Sequence, residues 1–224
     1  DGITTGGTGI KDINLKGGTL GSLASWSTTR PRTLTGTSTL SPAAGHTMTL
    51  SGVLSSTGGF SKTGLGQVTL NANNTFTGGV TVNGGTVRAE GDYETRLAAN
   101  NTVTMNNGGT FEVYSVNCVN QPQDWVINAG GKLLYSQNYH AHLKGSVTLN
   151  GGTIEGGGSG KYSGEDFSLQ TDVTVGGTNV STISLANGAA LSGTRTFTVA
   201  NATGDTGTDL QVSGELEDSG NLIK

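Results

Sequence analysis

The sequence predicts an all-β fold, a parallel β-solenoid of about ten coils, and three observations predict it. Of the 224 residues 39 are Gly, only 12% are charged and 2 are Met, a composition of turns and short strands rather than of helices. A corner string returns at a nearly constant interval. Between the corners lie runs of three to five residues rich in Val, Thr and Ile, which suit a pleated surface but are too short to bury a sandwich core.

The corner string is an apolar residue, Asn, a Gly pair, a short residue and apolar residues again. It reads Val82-Asn83-Gly84-Gly85-Thr86-Val87, Met105-Asn106-Asn107-Gly108-Gly109-Thr110-Phe111, Ile127-Asn128-Ala129-Gly130-Gly131-Lys132-Leu133 and Leu149-Asn150-Gly151-Gly152-Thr153-Ile154. The second glycines, Gly85, Gly109, Gly131 and Gly152, are 24, 22 and 21 residues apart. Upstream, Leu15-Lys16-Gly17-Gly18-Thr19-Leu20 lies 67 residues before Gly85, close to three units, and Gly177 lies 25 after Gly152. Asn and Gly at these corners are expected to take left-handed conformations that other residues resist.

The strands follow from alternation. In Gly79-Val80-Thr81-Val82 the two valines share one face and Thr81 takes the other. If each unit of about 22 residues makes one coil, inward Val, Leu, Ile and Phe stack into a continuous column, with backbone bonds between coils about 4.8 Å apart and a rod about 50 Å long. Asn-Gly between β runs also signals antiparallel hairpins, so a β-sandwich or barrel competes; the constant period favours the solenoid. Two stretches break the pattern and are expected as loop excursions: 114–125, with Tyr114, Cys118, Pro122 and Trp125, and 156–168, opened by Gly156-Gly157-Gly158-Ser159-Gly160. At the end, Leu50–Lys62 aligns without gaps with Val212–Lys224 at an offset of 162. Residues 1–224 are therefore expected to form a single β-helix domain, a fragment cut within a repeat of a longer surface protein.

The run Lys62–Ala89 resembles the autotransporter-associated β-strand repeat of bacterial surface proteins. The similarity is carried by Lys62-Thr63-Gly64-Leu65-Gly66, Val68-Thr69-Leu70, Asn74-Thr75-Phe76-Thr77-Gly78-Gly79, Val80-Thr81-Val82 and Asn83-Gly84-Gly85-Thr86-Val87. Gln67 and Asn71-Ala72 depart from its usual residues without changing the spacing. The resemblance implies a right-handed parallel β-helix, exported by a Gram-negative type bacterium, held or shed at its surface, and without an active site of its own.

Bulk electrostatics gives no partner. With 12 Lys and Arg, 16 Asp and Glu, a net charge of −4 and no basic cluster, the chain has no footprint for nucleic acid. No apolar run approaches the roughly 18 residues of a membrane span. Cys118, the one cysteine, reads as a small buried hydrophobe rather than a reactive thiol, having no His or cation beside it.

Candidate chemistry is sparse. His140 and His142 would point the same way on a strand, outward, with Tyr139, Ala141 and Leu143 inward; two imidazoles fall short of the three or four ligands zinc takes. Glu155, Asp166, Asp172 and Arg195 lie about one coil from one another and would converge in a β-helix polysaccharide lyase or hydrolase, although solvation of a surface explains them as well. Gly156–Lys161 fails the phosphate-loop pattern, since Glu155 replaces the first Gly and Tyr162 the Ser or Thr. Thr203–Asp209, with Asp205 and Asp209, reads as a polar turn rather than a Ca²⁺ loop. Trp26, Trp125, Tyr93, Tyr114, Tyr135, Tyr139 and Tyr162 are as well suited to packing as to stacking on sugars. The expectation is a non-enzymatic, extracellular stalk, fibre or adhesin with no catalytic, metal or cofactor residue and no cofactor. The alternative is a carbohydrate-active enzyme or glycan-binding module. Expected partners are copies or adjacent repeats of the same protein, joined end to end, and surface glycans or other cells.

Overall fold

A computed structural model describes residues 13–91, 95–136, 141–157, 166–217 and 221–223. Among the described residues there is no helix, and hence none long and apolar enough to cross a membrane. The chain winds through three sides per circuit. The first circuits hold β1 (Ile13–Leu15), β2 (Thr19–Ser22) and β3 (Trp26–Thr28), then β4 (Arg32–Leu34), β5 (Thr37–Pro42) and β6 (Thr47–Leu50), then β7 (Leu54–Ser55), β8 (Gly59–Lys62) and β9 (Gln67–Leu70). Circuits with two strands follow: β10 (Val80–Val82) and β11 (Gly85–Ala89), β12 (Thr102–Met105) and β13 (Gly109–Val113), β14 (Gln123–Asn128) and β15 (Lys132–Tyr135). The third side regains its strand in β16 (His142–Leu143), β17 (Gly145–Asn150) and β18 (Thr153–Gly156), then β19 (Phe167–Leu169), β20 (Val173–Val175) and β21 (Ser181–Leu185). The last strands are β22 (Ala189–Leu191), β23 (Arg195–Val199), β24 (Leu210–Ser213), β25 (Leu216–Glu217) and β26 (Leu222–Ile223).

Every pairing between these strands is parallel, which removes the hairpin sandwich. One sheet has ten strands, from β2 to β26, and a second has nine, from β3 to β24. A three-stranded sheet, β1-β4-β7, and a four-stranded sheet, β16-β19-β22-β25, occupy the third side at the two ends. Eight of the ten strands in the longest sheet have a neighbour on each side, so about eight turns are closed, slightly fewer than ten. The reason is that later units run longer than 22 residues: Leu149 pairs with Val175, and Ile183 with Val212.

Alternation sends one set of side chains inward. In the ten-stranded sheet Phe60, Val80, Val103, Trp125, Val147, Val173 and Phe197 stack in register. In the nine-stranded sheet Trp26, Met48, Val68, Val87, Phe111, Leu133, Ile154, Ile183 and Val212 do the same. Apart from the two end residues Trp26 and Val212, these side chains are buried in one apolar cluster, the interface between coils that makes a solenoid stable.

The segment 114–125 is not an excursion. Val116, Cys118 and Val119 are buried, and Gln123 and Trp125 already belong to β14. It forms the third side where that side has no strand, and its backbone still bonds to the coil before it, Arg96 N–H to Cys118 O and Asn100 N–H to Pro122 O, both at 2.8 Å. Side-chain amides complete this strandless wall. Asn74 accepts from Leu54 N–H and donates to Arg96 O, each at 2.8 Å; Asn101 accepts from Gly79 N–H and donates to Phe76 O. Pro122 and the polar run suggested a loop because such amides substitute for ladder bonds without the Val/Thr signature of a strand. Of the expected loop 156–168, residues 158–165 lie outside the described residues; Gly156 closes β18 and Phe167 opens β19.

Candidate functional site

The most developed polar constellation lies at the corner between the two long sheets, inside the repeat-like run. Lys62 ends β8, and alternation points it into the column between Leu40 and Val82, where it is fully buried. A buried ammonium needs an acceptor for each of its hydrogens. Lys62 Nζ donates to Thr63 O at 2.7 Å, Gly64 O at 2.9 Å and Gly84 O at 2.9 Å. The first two carbonyls belong to its own corner and the third to the next coil, so one side chain ties two coils together. The chain passes so closely here that a Cβ on Gly85, whose φ is +62°, would meet Gly66 O at 2.3 Å and Lys62 Nζ at 2.8 Å. Burial pushes the Lys62 amine down to about 8.

Beside it runs a ladder of asparagines. Asn83 donates to Ser61 Oγ at 2.9 Å, Asn106 to Asn83 Oδ1 at 2.7 Å, Asn128 to Asn106 Oδ1 at 2.7 Å and Asn150 to Asn128 Oδ1 at 3.0 Å. These asparagines do not take the left-handed conformation expected of them; the positive φ values fall on the glycines, such as Gly85 and Gly151. Gly alone reaches that region without cost, which frees the asparagine to spend its amide on the coil below.

The outer face of the ten-stranded sheet carries Thr19, Thr39, Ser61, Thr81, Thr104, Val126, Thr148, Thr174 and Thr198 in one register. Charged side chains on the nine-stranded sheet are paired across coils. Arg88 meets Glu112 at 2.8 Å while Ser136 donates to the same carboxylate at 2.6 Å, and Lys132 meets Glu155 at 2.6 Å.

The four residues considered for polysaccharide chemistry do not share a groove. Glu155 is on the outer face of β18, held by Lys132. Asp166 is fully buried and accepts from Ala186 N–H at 2.8 Å, Asn187 N–H at 3.1 Å and Asn187 Nδ2 at 3.0 Å, closing the turn between β21 and β22. Asp172, ahead of β20, accepts from Thr196 N–H at 2.9 Å, and Arg195 Nε donates to Leu169 O at 3.3 Å. Each carboxylate is committed to a structural bond, and general acid-base work needs two groups facing one substrate.

The histidine pair is reduced to one observable member. His142 points outward as expected and receives a hydrogen bond at Nδ1 from Gln170 Nε2 at 3.0 Å; His140 lies outside the described residues. Among the described residues no three His, Cys, Asp or Glu side chains gather around a common point. Cys118 is buried, its Sγ donates to Ala89 O at 3.3 Å, and burial pushes the thiol up to about 11. Asp205 and Asp209 both accept from Thr203 Oγ1 at 2.9 Å, and Asp205 also accepts from Gly207 N–H, which makes 203–209 a self-bonded turn.

The aromatics are largely core. Trp125 packs edge-on to Phe111 with centroids 5.6 Å apart, Tyr135 stacks on Phe167 at 4.6 Å, and burial raises the Tyr135 hydroxyl. Tyr114 lies under the Arg88 guanidinium at 4.1 Å and Trp26 under Arg32 at 5.6 Å. Tyr93, Tyr139 and Tyr162 lie outside the described residues. Arg32 is buried as well, with Nη1 donating to Arg30 O at 3.2 Å.

Sequence reasoning identified the Lys62 run by its resemblance, without foreseeing that the lysine turns inward. It read the recurrent Asn as a corner former and missed the ladder. The signal for the ladder was the recurrence of that residue type in four successive units. Residues 60–89 match the family of the passenger-associated-transport-repeat, and the matched stretch opens on β8 and closes on β11, spanning the Lys62 corner. No curated protein and no solved structure matches the chain.

Proposed function

We propose that this chain is a non-enzymatic segment of an autotransporter passenger, displayed outside a Gram-negative type cell as a stalk, fibre or adhesin. The reading rests on one observation above the others: the matched repeat is a working part of the stack, its Lys62 and Asn83 tying its own two successive coils together while Asn106 of the next coil bonds to Asn83. The polar groups of a catalyst face a substrate, whereas here Glu155, Asp166 and Asp172 are occupied in holding coils and turns. Each coil adds about 4.8 Å of length, and coils linked by ladder bonds resist tension as a series of small interfaces. The outer face of hydroxyl-bearing side chains is the part left to meet other molecules.

The experiment places the chain upstream of an outer-membrane barrel in a Gram-negative host and labels intact cells with an antibody against the segment. Labelling of intact cells, removed by protease added from outside, is the expected result. Retention in the periplasm would contradict the passenger reading, and release of reducing or unsaturated sugar ends from a pectin and glycan panel would contradict the non-enzymatic one.

A further inference from the structure

Four asparagines in the chain precede a glycine, Asn83, Asn107, Asn150 and Asn187, and we infer that Asn107 is a site of spontaneous deamidation from which the fold shields the other three. The inference concerns the chemistry of one corner and does not depend on the passenger reading. In such a pair the glycine nitrogen can close on the asparagine side chain, because glycine has no Cβ to hinder the approach and a backbone free to turn. At Asn107 the Gly108 nitrogen bonds to Cγ and loses its proton to solvent, and the side-chain nitrogen leaves as ammonia with a proton from water. Water then opens the five-membered imide at either carbonyl, to aspartate or to an isoaspartyl linkage. Amide plus water thus becomes carboxylate plus ammonium, with no change of oxidation state.

Three of the pairs lie at the same corner, between the ten-stranded and nine-stranded sheets, and share the local sequence Asn-Gly-Gly, so their surroundings tell them apart. Asn83 is held at both ends of its amide, by Ser61 Oγ at 2.9 Å and by Asn106 Nδ2 at 2.7 Å, and Gly84 is buried. Asn150 donates to Asn128 Oδ1 at 3.0 Å, and the Gly151 N–H, the nucleophile of that pair, donates to Ser181 Oγ at 2.9 Å. Asn187, between β21 and β22, donates through Nδ2 to the buried Asp166 at 3.0 Å, and Gly188 is buried. Asn107 differs on each count. Among the described residues its amide has no hydrogen-bond partner, and of the four pairs Asn107-Gly108 alone has both residues exposed. The amide lies over bare backbone, since a Cβ on Gly130 would come within 2.3 Å of Asn107 Oδ1. The bond this pair must release is Gly108 N–H to Gly130 O, 3.0 Å, at an exposed corner where water replaces it.

The asparagine ladder therefore shields the positions where conversion does most harm. A carboxylate at Asn150 would face Asn128 Oδ1, two acceptors with no proton between them, and that rung would break. Asn107 carries no rung, so its conversion leaves the ladder whole and adds one carboxylate at the surface, taking the formal net charge from −4 to −5. The isoaspartyl product also lengthens the backbone by one carbon within the turn closed by Gly109 N–H to Asn106 O at 2.8 Å.

The test holds the full chain at pH 8, folded in buffer and unfolded in guanidinium chloride, and follows each asparagine by peptide mass spectrometry with separation of aspartyl and isoaspartyl forms. In the folded chain Asn107 should convert at least about tenfold faster than Asn83, Asn150 and Asn187, since each of those must first give up a side-chain bond and either uncover a buried glycine or free a bonded nucleophile. In denaturant the three Asn-Gly-Gly sites should converge on one rate. Folded wild type should also accumulate a more acidic form on ion exchange, and Asn107→Gln, whose longer side chain cannot close the five-membered ring, should not. Conversion of Asn107 no faster than that of the held sites would overturn the inference. So would the same spread of rates in denaturant as in the folded chain, aspartate as the sole product, or an acidic form that accumulates as fast in Asn107→Gln.

Discussion

Replacing Lys62 by Met keeps the length of the side chain and removes the ammonium, leaving the carbonyls of Thr63, Gly64 and Gly84 without their donor. A buried acceptor left unpaired costs about 1–3 kcal/mol. The bond to Gly84 is the buried one and the other two are partly solvated, so the loss is offset in part by water and by no longer burying a charge. The net expectation is about 2–4 kcal/mol at pH 7. The pH dependence is the sharper readout. Burial lowers the Lys62 amine from 10.5 to about 8, so between those values the unfolded chain holds a proton that the folded chain has released. Stability then rises with pH through this window, by at most about 1.4 kcal/mol per unit for one proton. Urea unfolding of wild type and Lys62→Met at pH 7, 9 and 10.5 isolates this contribution as the difference between the two proteins. The difference should widen with alkalinity. Equal stability at pH 7, or a difference that does not change with pH, would refute the account of Lys62 as a buried, charge-bearing tie between coils.

Two further perturbations address the ladder and the core. Asn106→Ala removes the middle of the amide ladder, taking the partner from Asn83 Oδ1 and Asn128 Nδ2; at this solvated corner the cost should be about 1 kcal/mol, and a double-mutant cycle with Asn83→Ala should return a coupling of about 0.5 kcal/mol or more. Cys118, buried and with its thiol pushed up to about 11, should resist a thiol reagent at pH 8 in the native protein and react at once in denaturant; native-state labelling at the rate of a free thiol would contradict its burial.

Much of the architecture was legible because a solenoid writes its period into the chain. Inward and outward residues alternate within each strand, and Val80 and Val82 turned inward around Thr81 as their pattern required. The corner glycines also stood where a positive φ was needed, at Gly85, Gly108, Gly130 and Gly151. The segment 114–125 was misjudged because it is held by the Gln123 amide, which accepts from Asn101 N–H and donates to Ala98 O, and by buried Val116 and Val119 rather than by a third-side strand.

By itself the sequence determined the class of fold, the approximate length of one coil and the alternation that turns Val80 and Val82 inward, since these depend on local pattern and on one repeated length. The tertiary structure alone decided which polar groups meet. Bonds between coils join residues 20 apart at Asn74 and Leu54 but 30 apart at Ser181 and Gly151, because each corner takes up a different number of residues. Spacing of about one coil thus brought Asp172 and Arg195 beside adjacent strands of the ten-stranded sheet, but put Glu155 on the nine-stranded sheet and Asp166 into the turn between β21 and β22. Lys62 likewise turned inward because its strand register, and not its polarity, set its direction, and three backbone carbonyls compensated the charge.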